Sequence, residues 1–189
     1  MKSVKQLETI MKSEEIAIRF VDIQEAAILA ALGRETLYDA FAGHPLMPTA
    51  DLNLYLDKAF AIEQITGELL NPKSIFLLAE IGGEAAGYAK LVMDARVQGV
   101  TAEKPIKLQR LYAKQKFLGA GLGPALLRRC LVESMDRGHD CMWLTVWEHN
   151  LRAQRFYQKW HFEPCGFIDF PLGNAVMRDV LMQRVVNCL

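Results

Sequence analysis

Between residues 106 and 137 the sequence passes from a strand-like stretch, through Gly119-Ala-Gly-Leu-Gly123, into an amphipathic helix, and this passage constrains the fold most. Ile106–Ala113 alternates apolar and polar residues, which predicts a strand. From Pro124 to about Arg137, Leu126, Leu127, Cys130, Leu131 and Met135 recur on one helical face, and Gly138 supplies a stop. Three alternate glycines let backbone N–H groups converge on one point, and the helix N-terminus adds partial positive charge. Together they can cradle a pyrophosphate, although the same turn also serves as a tight connection that binds nothing. A dinucleotide fingerprint needs G-x-G-x-x-G early in a βαβ unit, and here the glycines alternate strictly, more than a hundred residues in. A Walker A loop needs a terminal Gly-Lys-Ser/Thr, which is missing.

Any anion must be held by such local geometry, because Lys plus Arg equals Asp plus Glu at 22 each. That balance offers no basic stripe for nucleic acid. With 189 residues, 51% hydrophobic and 23% charged, the chain reads as one globular domain whose core needs neither disulfide nor structural metal. Cys130, Cys141, Cys165 and Cys188 form no C-x-x-C pair, and the four histidines lie at no metal-ligand spacing from them. Reduced thiols in a cytoplasmic protein, with no metal, are therefore expected. Met1–Glu15 is polar with no apolar signal core, and no apolar run reaches membrane-spanning length.

The remaining pattern fills in around the glycine turn. Glu15–Val21 alternates as a strand, and Asp22-Ile-Gln-Glu25 has capping-box spacing before a helix to about Tyr38. The two prolines of His44–Pro48 mark a loop, and Asp51 to about Leu70 reads as one or two helices with Leu52, Tyr55, Leu56 and Ala59 on one face. Ser74–Ile81 and Ala86–Met93 predict a hairpin across Gly82-Gly83-Glu84. Met142–Trp147 reads as a strand, Asn150–Trp160 as a helix, and Phe162–Phe170 with Val176–Val186 as a hairpin turning at Pro171–Asn174.

Residues 108–127, a strand, a G-x-G-x-G turn and a helix, resemble motif A of the GCN5-related N-acetyltransferases (GNAT). Trp143-Leu-Thr-Val-Trp-Glu-His-Asn150, followed by Ala153 and Phe156-Tyr-Gln-Lys-Trp-His-Phe162, is similar to motif B of the same family. The two in the right order are far more specific than either alone. The L-x-R-L-Y strand, the W-L-x-V-W-E-x-N strand end and the final hairpin are similar to the Pai-type spermidine/spermine N-acetyltransferase subgroup.

The resemblance implies an α/β (α+β) domain over 1–189, with a mixed, mostly antiparallel sheet of about seven strands and helices on both faces. The sheet would splay between the two strands flanking an acetyl-CoA slot. Residues 1–14 would be a preamble, 15–70 the variable helical region, 75–170 the acetyl-CoA-binding core and 162–187 the closing hairpin. It implies transfer of an acetyl group from acetyl-CoA to a primary amine of a small molecule, with a polyamine as the subgroup's suggestion. A CoA-binding member with weak catalysis, and a protein lysine or N-terminal acetyltransferase, are the alternatives. Many family members pair, so a homodimer is compatible with the resemblance, although no residue here argues for one.

Site residues follow from the same resemblance. Backbone groups of Leu111, Tyr112 and Ala113 would pair with the pantetheine arm as an added strand does, and the Tyr112 N–H would polarise the thioester carbonyl. Leu118, Gly119, Ala120, Gly121, Leu122, Gly123 and Pro124 would take the pyrophosphate. Leu118 stands where the family usually has Gln or Arg, with Gln115 and Lys116 close by, and His161 stands where Gly is common. Asn150 would cap its helix and also contact the cofactor, as would Ala153. Tyr157 is the candidate general acid for the departing thiolate, Phe156 lying about 100° round the helix from it. Glu148 is the first candidate for general base and His149 the second.

Three further groups have two readings. Arg110, alternating with Ile106 and Leu108, would share a face with Tyr112, and either binds substrate or makes a cross-strand ion pair. Asp39, Asp51, Asp57, Asp169 and Asp179 could rim an amine pocket or be solvated acids. Phe41, Tyr55, Phe60, Phe167 and Phe170 read as core more than as a substrate box.

Overall fold

A computed structural model describes residues 15–172 and 175–186. The preamble, Cys188 and the turn residues Gly173 and Asn174 lie outside the described residues. Seven strands form one sheet: β1 (Ile16–Phe20), β2 (Ser74–Ile81), β3 (Glu84–Met93), β4 (Pro105–Ala113), β5 (Cys141–Trp147), β6 (Glu163–Leu172) and β7 (Ala175–Val185). Their spatial order is β1-β2-β3-β4-β5-β7-β6, and every pair is antiparallel except β4–β5. Among the described residues five helices cover it: α1 (Ala26–Phe41), α2 (Thr49–Ala59), α3 (Ile62–Leu70), α4 (Leu122–Asp136) and α5 (Leu151–Lys159). No helix among the described residues is long and apolar enough to cross a membrane.

The capping box forms as expected, with Asp22 accepting the Gln24 N–H at 2.9 Å and Glu25 accepting the Asp22 N–H at 2.8 Å. It opens a single 3₁₀ turn, and α1 then continues to Phe41, three residues beyond the expected end. The stretch after Asp51 forms two helices that break at Phe60 and Ala61, and Leu52 and Leu56 are fully buried on the predicted face.

The pleat sends alternate residues into two cores. On one face, Ile106, Leu108, Met142, Leu144 and Val146 meet Leu122, Leu126, Leu127, Cys130 and Leu131 of α4, with Phe156, Tyr157 and Trp160 of α5 at the margin. On the other face, Phe76, Leu78, Tyr88 and Trp147 meet Leu29, Leu32, Leu37, Leu52, Leu56 and Ile65 of α1–α3. The glycine turn and the α1–α2 loop thus approach the middle of the sheet from opposite faces.

Candidate active site

The sheet opens at its one parallel pair. β4 and β5 pair only over Pro105–Lys107 with Cys141–Trp143, and beyond that point they part. The cause lies in β4. Lys90 faces Arg110 while the next residue, Leu91, faces Leu108, so Gln109 is an extra residue without a counterpart. Such a bulge bends its strand and increases the local twist. A cleft of about 730 Å³ occupies the gap, walled by Leu108–Ala113 on one side and Thr145–Trp147 on the other.

Arg110 shares a face with Tyr112 as expected, but the bulge takes it off the face of Ile106 and Leu108. Ile106 and Leu108 point into the core under α4, whereas Arg110, one residue past the bulge, joins Tyr112 on the opposite face. Its guanidinium donates to both oxygens of Glu68 on α3, at 2.7 and 3.1 Å, and stacks over the Phe60 ring. The ion pair therefore bridges sheet and helix, because the cross-strand neighbour is another cation, Lys90, whose Nζ lies 2.9 Å from the same carboxylate. Burial pushes the Glu68 carboxyl upward, but Arg110 and Lys90 prevail and hold it below the ordinary range.

At the glycine turn, Gly119 (φ 89°) and Gly121 (φ 84°) occupy left-handed backbone that side-chain-bearing residues avoid. Helix α4 starts at Leu122 with Gly121 as its cap, so Pro124 is the third helical residue and not the first. It still falls in the first turn, where its missing N–H breaks no bond; the first helical bond is Ala125 N–H to the Gly121 carbonyl, at 3.0 Å. The Ala120 N–H is spent on the Phe117 carbonyl. Those of Gly119, Gly121, Leu122 and Gly123 find no backbone acceptor among the described residues. Leu118 and Gln115 line the cleft beside them, while Lys116 is turned to Glu84 at 2.6 Å.

On the other wall, Asn150 caps α5 by accepting the Ala153 N–H at 3.1 Å, and Gln154 donates to the Trp147 and Glu148 carbonyls. Asn150, Ala153, Phe156 and Tyr157 all face the cleft. Although about 100° apart round the helix, both aromatic residues pack on the core margin and both border the slot. Burial pushes the Tyr157 hydroxyl pKa upward. Of the sequence-derived site residues, Leu111–Ala113, Leu118, Gly119, Gly121–Pro124, Asn150, Ala153 and Tyr157 converge on this one cleft. Ala120 and Glu148 do not line it. Glu148 donates its N–H to the Arg178 carbonyl, and its carboxylate sits 3.8 Å from His149.

A family model described as "Acetyltransferase (GNAT) family" matches residues 36–162, which span both walls of the cleft and the turn between them. The chain belongs to the GNAT acetyltransferases. It is 28% identical to an uncharacterised N-acetyltransferase of Lactobacillus delbrueckii over 89% of this chain and 98% of the relative. A spermine/spermidine N(1)-acetyltransferase of Bacillus subtilis is 27% identical over 50% of this chain and 62% of its own. Among solved structures, the PaiA N-acetyltransferase of Thermoplasma acidophilum, in complex with coenzyme A, superposes with a TM-score of 0.74. That match covers 90% of this chain and 99% of the other at 20% identity, and so speaks for the fold.

In this acetyltransferase the far end of the cleft lies under α1 and α2. Tyr55 meets Phe170 with ring centres 5.4 Å apart, and Trp147 meets Phe41 at 5.6 Å and His44 at 4.5 Å. Phe41, Tyr55 and Phe170 line the cleft, so three of the five aromatic residues expected in the core are also wall. Phe60 is buried against Tyr112, and Phe167 is exposed beneath Arg178. Of the five candidate acids, Asp39 lines the mouth and Asp179 the interior. Asp57 pairs with Arg34 on the surface, and neither Asp51 nor Asp169 lines the cleft.

Lys107 and Thr145 also line this end, and sequence reasoning singled out neither. Asp179 had a readable signal. It sits between Met177 and Leu181 on one face of a strand, where an acid has no business unless something meets it.

Proposed function

We propose that this acetyltransferase uses acetyl-CoA as donor and a small molecule bearing a primary amine as acceptor, with polyamines the first class to try. The observation that carries the reading is a single cleft. It runs from the N–H groups at Gly119–Gly123, past the parted edges of β4 and β5, to a chamber with aromatic walls and a buried carboxylate. Its first end suits a pyrophosphate and its last suits an alkylammonium, which aromatic faces and carboxylates both attract. The partial match to a spermine/spermidine acetyltransferase supports the polyamine choice. Against a protein acceptor, Met47 is buried at the cleft wall, and His44 and Tyr55 pack on Trp147 and Phe170 at its far end.

In this reading the free edge of β4 at Leu111–Ala113 pairs with the pantetheine arm, as an extended peptide adds to a sheet. The register turns the Tyr112 N–H toward Tyr88 on β3, so the donor that stabilises the oxyanion as the amine attacks is an N–H of the free edge, at Leu111 or Ala113, and the Tyr112 ring, packed on Tyr88 and Phe60, fixes that strand. Asn150 holds the start of α5 beside the cofactor, and Tyr157 protonates the departing thiolate. Glu148, outside the cleft, has a place in proton removal only by way of water or another group.

A free-thiol release assay with acetyl-CoA and a panel of amines tests the proposal. Turnover on spermidine, spermine or another small alkylamine is expected. Turnover confined to lysine peptides would overturn it.

A further inference from the structure

Resting on the small-amine reading, we propose that Asp179 receives the acceptor's ammonium group and takes its proton. Among the described residues only Asp39 and Asp179 bring carboxylates to the cleft lining, and Asp39 is exposed at the mouth. Asp179 is 9% exposed and stands on β7 opposite Trp147, on the sheet face beneath Tyr55. No cation among the described residues approaches it within ion-pair distance. Lys107, the basic side chain whose charge it feels, lies over the Trp143 ring instead, 4.8 Å from its centre.

Burying a carboxylate without a countercharge is costly, and the Thr145 hydroxyl that bonds Asp179 is neutral. Here the missing countercharge would enter through the cleft. The groups that act on Asp179 are the Thr145 hydroxyl from β5, Lys107 from β4 and Glu148 beyond the strand end, with Tyr55 close by on α2. Burial raises its pKa, Glu148 adds to the rise, and Thr145 and Lys107 restrain it. A carboxylate raised in this way is a better proton acceptor than an exposed one.

The step balances without any further reactant. An N–H bond of the ammonium breaks and its proton joins an Asp179 oxygen. The freed lone pair forms the C–N bond at the thioester carbonyl. The C–S bond then breaks with its electron pair on sulfur. The second N–H proton reaches that sulfur through Tyr157, and Asp179 releases its own proton to solvent. The products are the acetamide, free CoA and one proton.

The test compares an alkylamine substrate with its fluorinated analogue, which is already unprotonated at neutral pH. Asp179→Asn is expected to lose about 10²–10⁴-fold in kcat/KM on the alkylamine. It should lose less than about tenfold on the analogue, with acetyl-CoA affinity unchanged. Equal losses on both amines, or no loss on either, would overturn the inference, as would this selective pattern appearing in Glu148→Gln instead. Thr145→Val provides a second variant: removing a group that keeps the carboxylate ionised should move the acid limb of the alkylamine pH profile upward, and an unmoved limb counts against Asp179. Failure of the wild-type protein to acetylate either amine would bring down the small-amine reading itself. Full alkylamine activity in Asp179→Asn would remove only the inference.

Discussion

Glu68→Gln tests whether the parted strand β4 is held in place by a buried ion cluster. The Glu68 side chain is 13% exposed and those of Lys90 and Arg110 are 5% and 6%, so two cations are buried around one carboxylate. Removing one partner of a buried pair costs about 3–5 kcal/mol, because the other charge is left uncompensated. Glutamine keeps one acceptor oxygen, which returns about 1 kcal/mol. The expected loss is then about 3 kcal/mol, or about 6–12 °C in Tm for a chain of this length. Calorimetry or circular-dichroism melting measures it, with Glu84→Gln as the surface comparison. Glu84 meets Lys114 and Lys116 in solvent, and its variant should melt with the wild type. The dependence on pH follows from the lowered Glu68 pKa. The stabilisation is complete above the ordinary glutamate value of about 4.3 and is lost as pH falls through the lower folded value. Wild type and variant should therefore converge in Tm at the acid end. If Glu68→Gln melts no lower than Glu84→Gln at neutral pH, the cluster does not anchor β4 to α3.

Three other substitutions examine the site's framework. A Cβ at Gly87 would run into the Tyr112 carbonyl oxygen, so Gly87→Ala should displace β4, cost about 1–3 kcal/mol and lower kcat, as melting and thiol release would show. His161 holds φ 61°, which costs a side-chain-bearing residue about 1–2 kcal/mol, and glycine there surrenders about 0.5–1 kcal/mol in unfolded-chain entropy. The net gain of about 0–1.5 kcal/mol means that His161→Gly should raise Tm, by no more than about 6 °C. Tyr157→Phe should lower kcat about 10²-fold or more while acetyl-CoA Kd stays within about twofold; parallel losses in both would assign the hydroxyl to binding.

The parts of this structure that the sequence revealed are those set by local chemistry. Left-handed backbone at Gly119 and Gly121, the Asn150 cap and the Asp22 capping box each depend on a few neighbouring residues, and each reads directly. The alternation of β4 reads correctly only as far as Leu108. Whether Gln109 bulges depends on how β3 pairs with β4, and that pairing decides which face Arg110 takes. The start of α4 moved for a similar reason: proline is tolerated anywhere in the first turn, so Pro124 marks that turn without fixing its first residue. The alternation of β7 marks Asp179 as inward-facing, but what covers it does not read from the sequence. Its burial comes from β5 beside it and from the α1–α2 region closing over the face, which no window around residue 179 contains. Glu148 shows the converse, since adjacency to a motif did not bring it to the cleft wall.

The central claim is that one cleft holds the donor and presents it to an amine from the opposite face. A crystal structure with acetyl-CoA tests it most directly. The account predicts the pyrophosphate against the N–H groups of Gly119 and Gly121–Gly123, the pantetheine along Leu111–Ala113 and the thioester carbonyl on an edge-facing N–H there, at Leu111 or Ala113, with the acetyl methyl toward Asp179. Acetyl-CoA seated elsewhere, such as the shallow hollow beside Trp160 and Arg184, or a cleft empty at saturating acetyl-CoA, would contradict it.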